Sequence, residues 1–163
     1  MHASMAERMA FGTPLDPAVD DTPIHVVPRS TSALIGRILI AAIFVTSGFA
    51  KLTDPAGAAG YMTHVGIPNA DVLVYVAGVA ELLGGLALVF GFLTRLAALG
   101  LILMLIPTTL LFHNFWALSG AEAKMQMVNF MKNLAIMGGL AMVFAKGPGR
   151  FSVDARIRRP MEA

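Results

Sequence analysis

Four apolar runs alternate with short polar breaks along the chain, at residues 33–50, 72–93, 96–112 and 128–145. Each comes close to the roughly 20 apolar residues that a transmembrane helix needs. The pattern predicts an all-α integral membrane four-helix bundle. Between the first two spans, Asp54-Pro55 resembles a helix start, with Asp as N-cap and Pro in the first turn. A short interfacial helix is therefore expected after the first span, ending near His64 before Gly66-Ile67-Pro68-Asn69, with Tyr61 as an interface anchor. Ser119 and Glu122 have capping-box spacing, so the last helix is expected to start near Gly120. Residues 1–32 are polar and hold Pro14, Pro17, Pro23 and Pro28, which reads as a disordered arm without a signal-peptide core. The layout is thus an arm at 1–32, a membrane domain at 33–146 and a basic tail at 147–163.

Polar positions inside the spans carry the information. Arg37, Ala41, Phe44, Gly48 and Lys51 are spaced 4, 3, 4 and 3 apart and share one face of the first span. Arg37 can snorkel to the nearer headgroups or pair internally, and the spacing leaves both open. The second span holds one charge, Glu81, near its middle. Ala77, Gly78, Gly84, Gly85 and Leu88 share its face. Small residues let helices approach closely in lipid, so this face is expected to turn the acid towards other helices. In the third span Pro107 should bend the helix, with Thr108 or Thr109 answering the freed carbonyl. His113 and Asn114 follow it at the interface. In the fourth span Asn129, Lys132, Asn133 and Ile136 form a polar stripe.

Composition narrows the classes. Hydrophobic residues make up 56% of the chain and charged residues 13%, against about 25% charged in soluble domains. The net charge of +2 gives no footprint for nucleic acid. The chain has no cysteine. That excludes thiolate zinc sites, iron–sulfur clusters and thiol relays within it. No histidine pair lies at matched depth for haem, and no metal site is expected. Four spans put both termini on one side, with Arg8, Arg29, Arg95, Lys146, Arg150, Arg156, Arg158 and Arg159. Lys51 and Lys124 lie opposite. The positive-inside bias predicts cytoplasmic termini in a multi-pass protein of the bacterial inner membrane.

Depths can then be compared at about 1.5 Å per residue. Glu81 lies roughly 13 Å below the outer end of its span and Lys132 roughly 7 Å below the outer end of its own. Arg37 would have to climb about 10 Å to reach the acid. The most economical pairing is Glu81 with Lys132. Asn133, Asn129, His113 and Lys51 then lie around or above it, in a polar pocket opening to the outer leaflet. Such a pair fixes helix register as readily as it serves a ligand.

The runs RILIAAIFVTSGFAKL, AELLGGLALVFGFLTRLAA, HNFW, FMKNLAIMGGL and GPGRFSVD, in that order, resemble the DoxX family of bacterial four-span membrane proteins. The family is similar to DoxD, the membrane subunit of a thiosulfate:quinone oxidoreductase. The resemblance implies a link to the quinone pool and a soluble or membrane redox partner. The family's recurring polar positions correspond here to Arg37, Lys51, Glu81, Asn114, Lys132 and Asn133. Without cysteines or haem ligands, electron transfer would need a bound quinone or a partner subunit. Two functions stay open: a membrane subunit of a quinone-linked oxidoreductase, and a non-enzymatic scaffold or carrier for an apolar small molecule or partner protein. Whether the chain is itself an enzyme, and whether it forms a homo-oligomer in the bilayer, stays open with them.

Overall fold

The computed structural model describes residues 29–158. The arm up to residue 28, with His2 and His25, and the end of the tail from residue 159 lie outside the described residues. The described chain is all-helical. Helix α1 is Arg29–Thr53, α2 is Ala56–His64, α3 is Ala70–Phe90, α4 is Thr94–Phe112, α5 is Gly120–Lys146 and α6 is Val153–Ile157. Helices α1, α3, α4 and α5 are long and apolar enough to cross a membrane, and short α2 follows the first of them. Residues 29–32, read from sequence as part of the arm, already belong to α1.

Two helix pairs make the bundle. Helix α1 packs most extensively on α3, and α4 on α5. The α1–α3 contact is a backbone approach between glycines. A Cβ added at Gly48 would lie 2.6 Å from the Leu82 nitrogen and 2.7 Å from the Gly78 oxygen. One at Gly85 would lie 2.9 Å from a Val45 methyl. The buried face of α1 carries Arg37, Ala41, Phe44 and Gly48, and that of α3 carries Val74, Gly78, Glu81, Gly85 and Leu88. Helix α4 meets α3 where Gly84 faces Leu101, and α5 meets α1 where Gly139 faces Ile40. The core of Ala41, Phe44, Leu88, Ala98, Leu101, Leu105 and Leu140 fills the half of the bundle nearer the termini. Outward positions are apolar, with Leu39 70%, Leu96 65% and Val128 64% exposed. Water would penalise such a surface and lipid does not.

Residues 147–158, read from sequence as a tail, fold back across the terminal end. Ser152 is buried and its hydroxyl caps α6 by accepting from the Ala155 N–H at 3.1 Å. Asp154 caps α4 from 60 residues away. It accepts from the Leu93 N–H at 2.8 Å, the Thr94 N–H at 2.9 Å and the Thr94 hydroxyl at 2.8 Å. Leu93 needs that hold, because its φ of 45° is left-handed and unfavourable for a branched residue. Burial pushes the Asp154 carboxyl up. The hydrogen bonds from Thr94 and Leu93 and the charge of Arg158 outweigh it and hold the group below its ordinary range. Arg37 does not snorkel. It is 1% exposed and its Nη2 donates to the Phe151 carbonyl at 2.6 Å. Asp154 is near enough for the two charges to attract.

Three local expectations need correction. Pro55, not Asp54, holds the N-cap position of α2, and no side chain caps that helix. Helix α5 does start at Gly120 after Ser119, but Ser119 is extended and makes no side-chain cap. The hydroxyls of Thr108 and Thr109 bond to the Met104 and Leu105 carbonyls, not to Leu103, the carbonyl four residues before Pro107. Each reaches the carbonyl four residues before itself, the usual back-bond of a helical threonine.

Candidate functional site

Beyond the core, towards the loop end, the two helix pairs line a half-open cavity of about 320 Å³. Its floor is apolar, from Ile43, Phe44, Met104, Leu105 and Ile136. Polar groups lie higher on its wall: Ser47 and Lys51 of α1, Glu81 of α3, Thr108 and His113 at the end of α4, and Lys132 and Asn133 of α5. Helix α2 contributes Ala58, Tyr61 and Met62. Helices α1 and α5 touch at Ile40 and Gly139. Nearer the loops they contribute Ile43 and Ile136 to the cavity floor.

Glu81 is 8% exposed and pairs with Lys51, not Lys132. The Lys51 Nζ donates to Oε1 at 3.1 Å, to Oε2 at 2.8 Å and to the Ser47 hydroxyl at 2.7 Å. Depth counting missed this because it took Lys51 as fixed at the boundary. The glycine contact brings α1 and α3 so close that the Lys51 Cβ would lie 3.1 Å from a Cβ at Gly78. The stem then runs along that glycine, one turn from Glu81. Lys132 lines the cavity but is exposed, and its amine donates to Asn129 Oδ1 at 3.0 Å. Asn133 is buried, and its Nδ2 donates to the Thr109 hydroxyl at 3.1 Å.

Other candidates separate. Asn114 holds the N-cap position of the single 3₁₀ turn Phe115–Ala117 and is not on the cavity wall, nor is Asn129. Arg37 serves the terminal end. Sequence reading missed Gln126, an 8% exposed side chain on the first turns of α5. Its Oε1 lies 2.8 Å from His113 Nδ1, and its Nε2 donates to the Tyr61 hydroxyl at 3.2 Å. Tyr61 in turn donates to the Phe112 carbonyl at 3.0 Å and stacks on the Phe112 ring. These contacts tie α2 to the far helix pair. The partners are 13 to 65 residues apart, so no local pattern announces them. Among the described residues no three His, Asp or Glu side chains gather as a metal-ligand group.

Fold and cavity define a four-helix integral membrane protein with an ion pair set beside an apolar chamber. The family is settled by comparison: the DoxX family model matches residues 32–114, and the chain belongs to that family. Inner membrane protein YqjF of Escherichia coli is 38% identical over 131 residues, 80% of this chain and 95% of that protein. Inner membrane protein YphA of the same organism is 33% identical over 128 residues, 78% and 91% of the two chains. The uncharacterized membrane protein Rv3486 of Mycobacterium tuberculosis is 26% identical over 142 residues, 78% and 82%. No solved structure matches. The chain is an integral inner-membrane protein of the DoxX family.

Proposed function

We propose that this protein is the membrane subunit of a quinone-linked oxidoreductase system and that the cavity receives the ring headgroup of a quinone. The observation that carries the reading is the split of one chamber into an apolar floor and a wall holding Lys51, Glu81, His113 and Lys132. Ligand sites commonly combine an apolar lining with a few convergent polar groups. The volume of about 320 Å³ is about twice that of an apolar cavity that takes up benzene. A substituted ring fits there and an isoprenoid tail does not. The tail would leave between α1 and α5, past Ile43 and Ile136. Lys132 has spare N–H donors for a ring oxygen. Within the Lys51–Glu81 pair the charges cancel, which limits the cost of bringing an apolar ring beside it. A bound quinone supplies two-electron redox chemistry, and this chain binds and orients its ring. With no cysteine in the sequence, the electrons come from a partner protein. In this reading both termini are cytoplasmic, residues 33–146 form the membrane domain, and the cavity opens towards the outer leaflet.

A second reading is a non-enzymatic scaffold or carrier for an apolar small molecule or partner protein. One observation favours it: Glu81 is already satisfied by Lys51, as in a pair that only fixes helix register. Photolabelling of membranes with an azido-quinone tests the quinone site. The redox reading expects label on peptides holding residues 43–51 and 132–136, removed by excess quinone. Label elsewhere, or none, refutes it. Unchanged respiration in a deletion strain would favour the carrier.

A further inference from the structure

The hydrogen-bond chain at the loop end has a fixed proton order. The Phe112 carbonyl can only accept, so the Tyr61 hydroxyl proton is spent on it. The Tyr61 oxygen therefore accepts, and the Gln126 atom facing it is the amide nitrogen. That turns Gln126 Oε1 towards His113 Nδ1. An amide oxygen cannot donate, so Nδ1 carries a proton, and in the uncharged ring that tautomer leaves Nε2 as a lone pair. His113 lines the cavity and Gln126 does not. Nε2 is the ring nitrogen that the Gln126 bond leaves for a cavity ligand. Among the described residues the imidazole bonds only through Nδ1.

Glu81 is a second acceptor on the same wall. Both of its oxygens accept from one amine, Lys51, and a carboxylate has about four acceptor positions. Lys132 gives one N–H to Asn129 and keeps two. The wall therefore offers acceptors and donors together. We propose that the cavity selects by hydrogen-bond polarity: it takes a hydroxylated aromatic ring, the reduced form of a quinone headgroup, in preference to the oxidised ring. The inference rests on the reading that the cavity holds such a ring. A ring hydroxyl donates to His113 Nε2 or Glu81 while its oxygen accepts from Lys132. A carbonyl ring can use only the donors and sets its own lone pairs against the imidazole nitrogen and the carboxylate. A site whose polar groups the wrong ligand leaves unpaired discriminates strongly.

The test is anaerobic calorimetric titration of the full-length protein in nanodiscs with duroquinol, duroquinone and the dimethyl ether of duroquinol. The expected result is a Kd for duroquinol at least tenfold below that for either other ring. The His113→Phe variant, which keeps Glu81 as acceptor, should bind duroquinol with a reduced preference, and an undiminished preference would overturn the role of His113. In wild-type protein with ¹⁵N-labelled histidine, one Nε2 resonance should move with duroquinol and not with duroquinone, which needs no folded variant. Equal affinities, tighter duroquinone, or an Nε2 signal blind to duroquinol overturns the inference and leaves the ring-binding reading standing. Failure of all three rings to bind overturns both.

Discussion

Removing Lys51 leaves the Glu81 carboxylate unpaired, because Lys51 supplies every side-chain donor it has among the described residues. The residue is 8% exposed. Breaking a buried pair from one side costs about 3–5 kcal/mol, whereas replacing both partners with uncharged groups is often neutral. Some water reaches this pair, since the two side chains are 19% and 11% exposed, so the low end applies. We expect Lys51→Met to destabilise the bundle by about 3 kcal/mol. Glu81→Gln should cost somewhat less, as an amine is left behind with Ser47 as an acceptor. The double variant should lie within about 1 kcal/mol of wild type. Steric-trap or SDS unfolding in bicelles measures the cycle, and the coupling, the two single losses less that of the double variant, should reach about 4 kcal/mol. Lys132→Met combined with Glu81→Gln should be additive, because Lys132 bonds elsewhere. Additive losses in the first cycle, or coupling in the second, would refute the assignment of Lys51 as the acid's partner.

Other perturbations probe the parts around that pair. Gly48→Ala puts a methyl against backbone at 2.6 Å and should cost about 1–3 kcal/mol. Gly36→Ala meets nothing within 4 Å and should stay within about 0.5 kcal/mol; equal losses in the same unfolding assay would contradict the glycine contact. Asp154→Asn should cost about 1–2 kcal/mol, because an amide nitrogen replaces one of the two oxygens that receive Leu93 and Thr94, with faster hydrogen exchange at Leu93 and Thr94. Because the folded-state carboxyl is held below its ordinary range, its contribution is present above about pH 4 and is lost as pH falls further. The wild-type advantage over Asp154→Asn should therefore shrink on acidification below that point, and an advantage that grows there would contradict the sign.

Much of the scaffold was legible in the sequence because lipid imposes long apolar runs, and because i, i+3 and i+4 spacing fixes which residues share a face. Arg37, Ala41, Phe44 and Gly48 read as one face and are the buried face of α1. The partner of Glu81 was not legible by counting depths, since depth ignores how closely two helices approach. Gly48 and Gly78 were the usable signal: small residues facing each other bring the Lys51 stem onto α3. Asp154 on α4 and Gln126 between His113 and Tyr61 had no such signal. Their partners are set by chain ends meeting in space, and no helical period links them. Arg37 was open between two readings, and the Phe151 carbonyl that receives it comes from a segment read as tail.

The claim on which the account rests is that the chamber beside the Lys51–Glu81 pair holds a quinone ring. Total quinone and quinol extracted from purified protein and quantified per chain tests it directly, comparing wild type with Ala77→Trp, which fills the chamber from α3. Wild type should carry near-stoichiometric quinone plus quinol, and a folded Ala77→Trp variant almost none. No quinone or quinol in wild type, or equal amounts in both proteins, would contradict it.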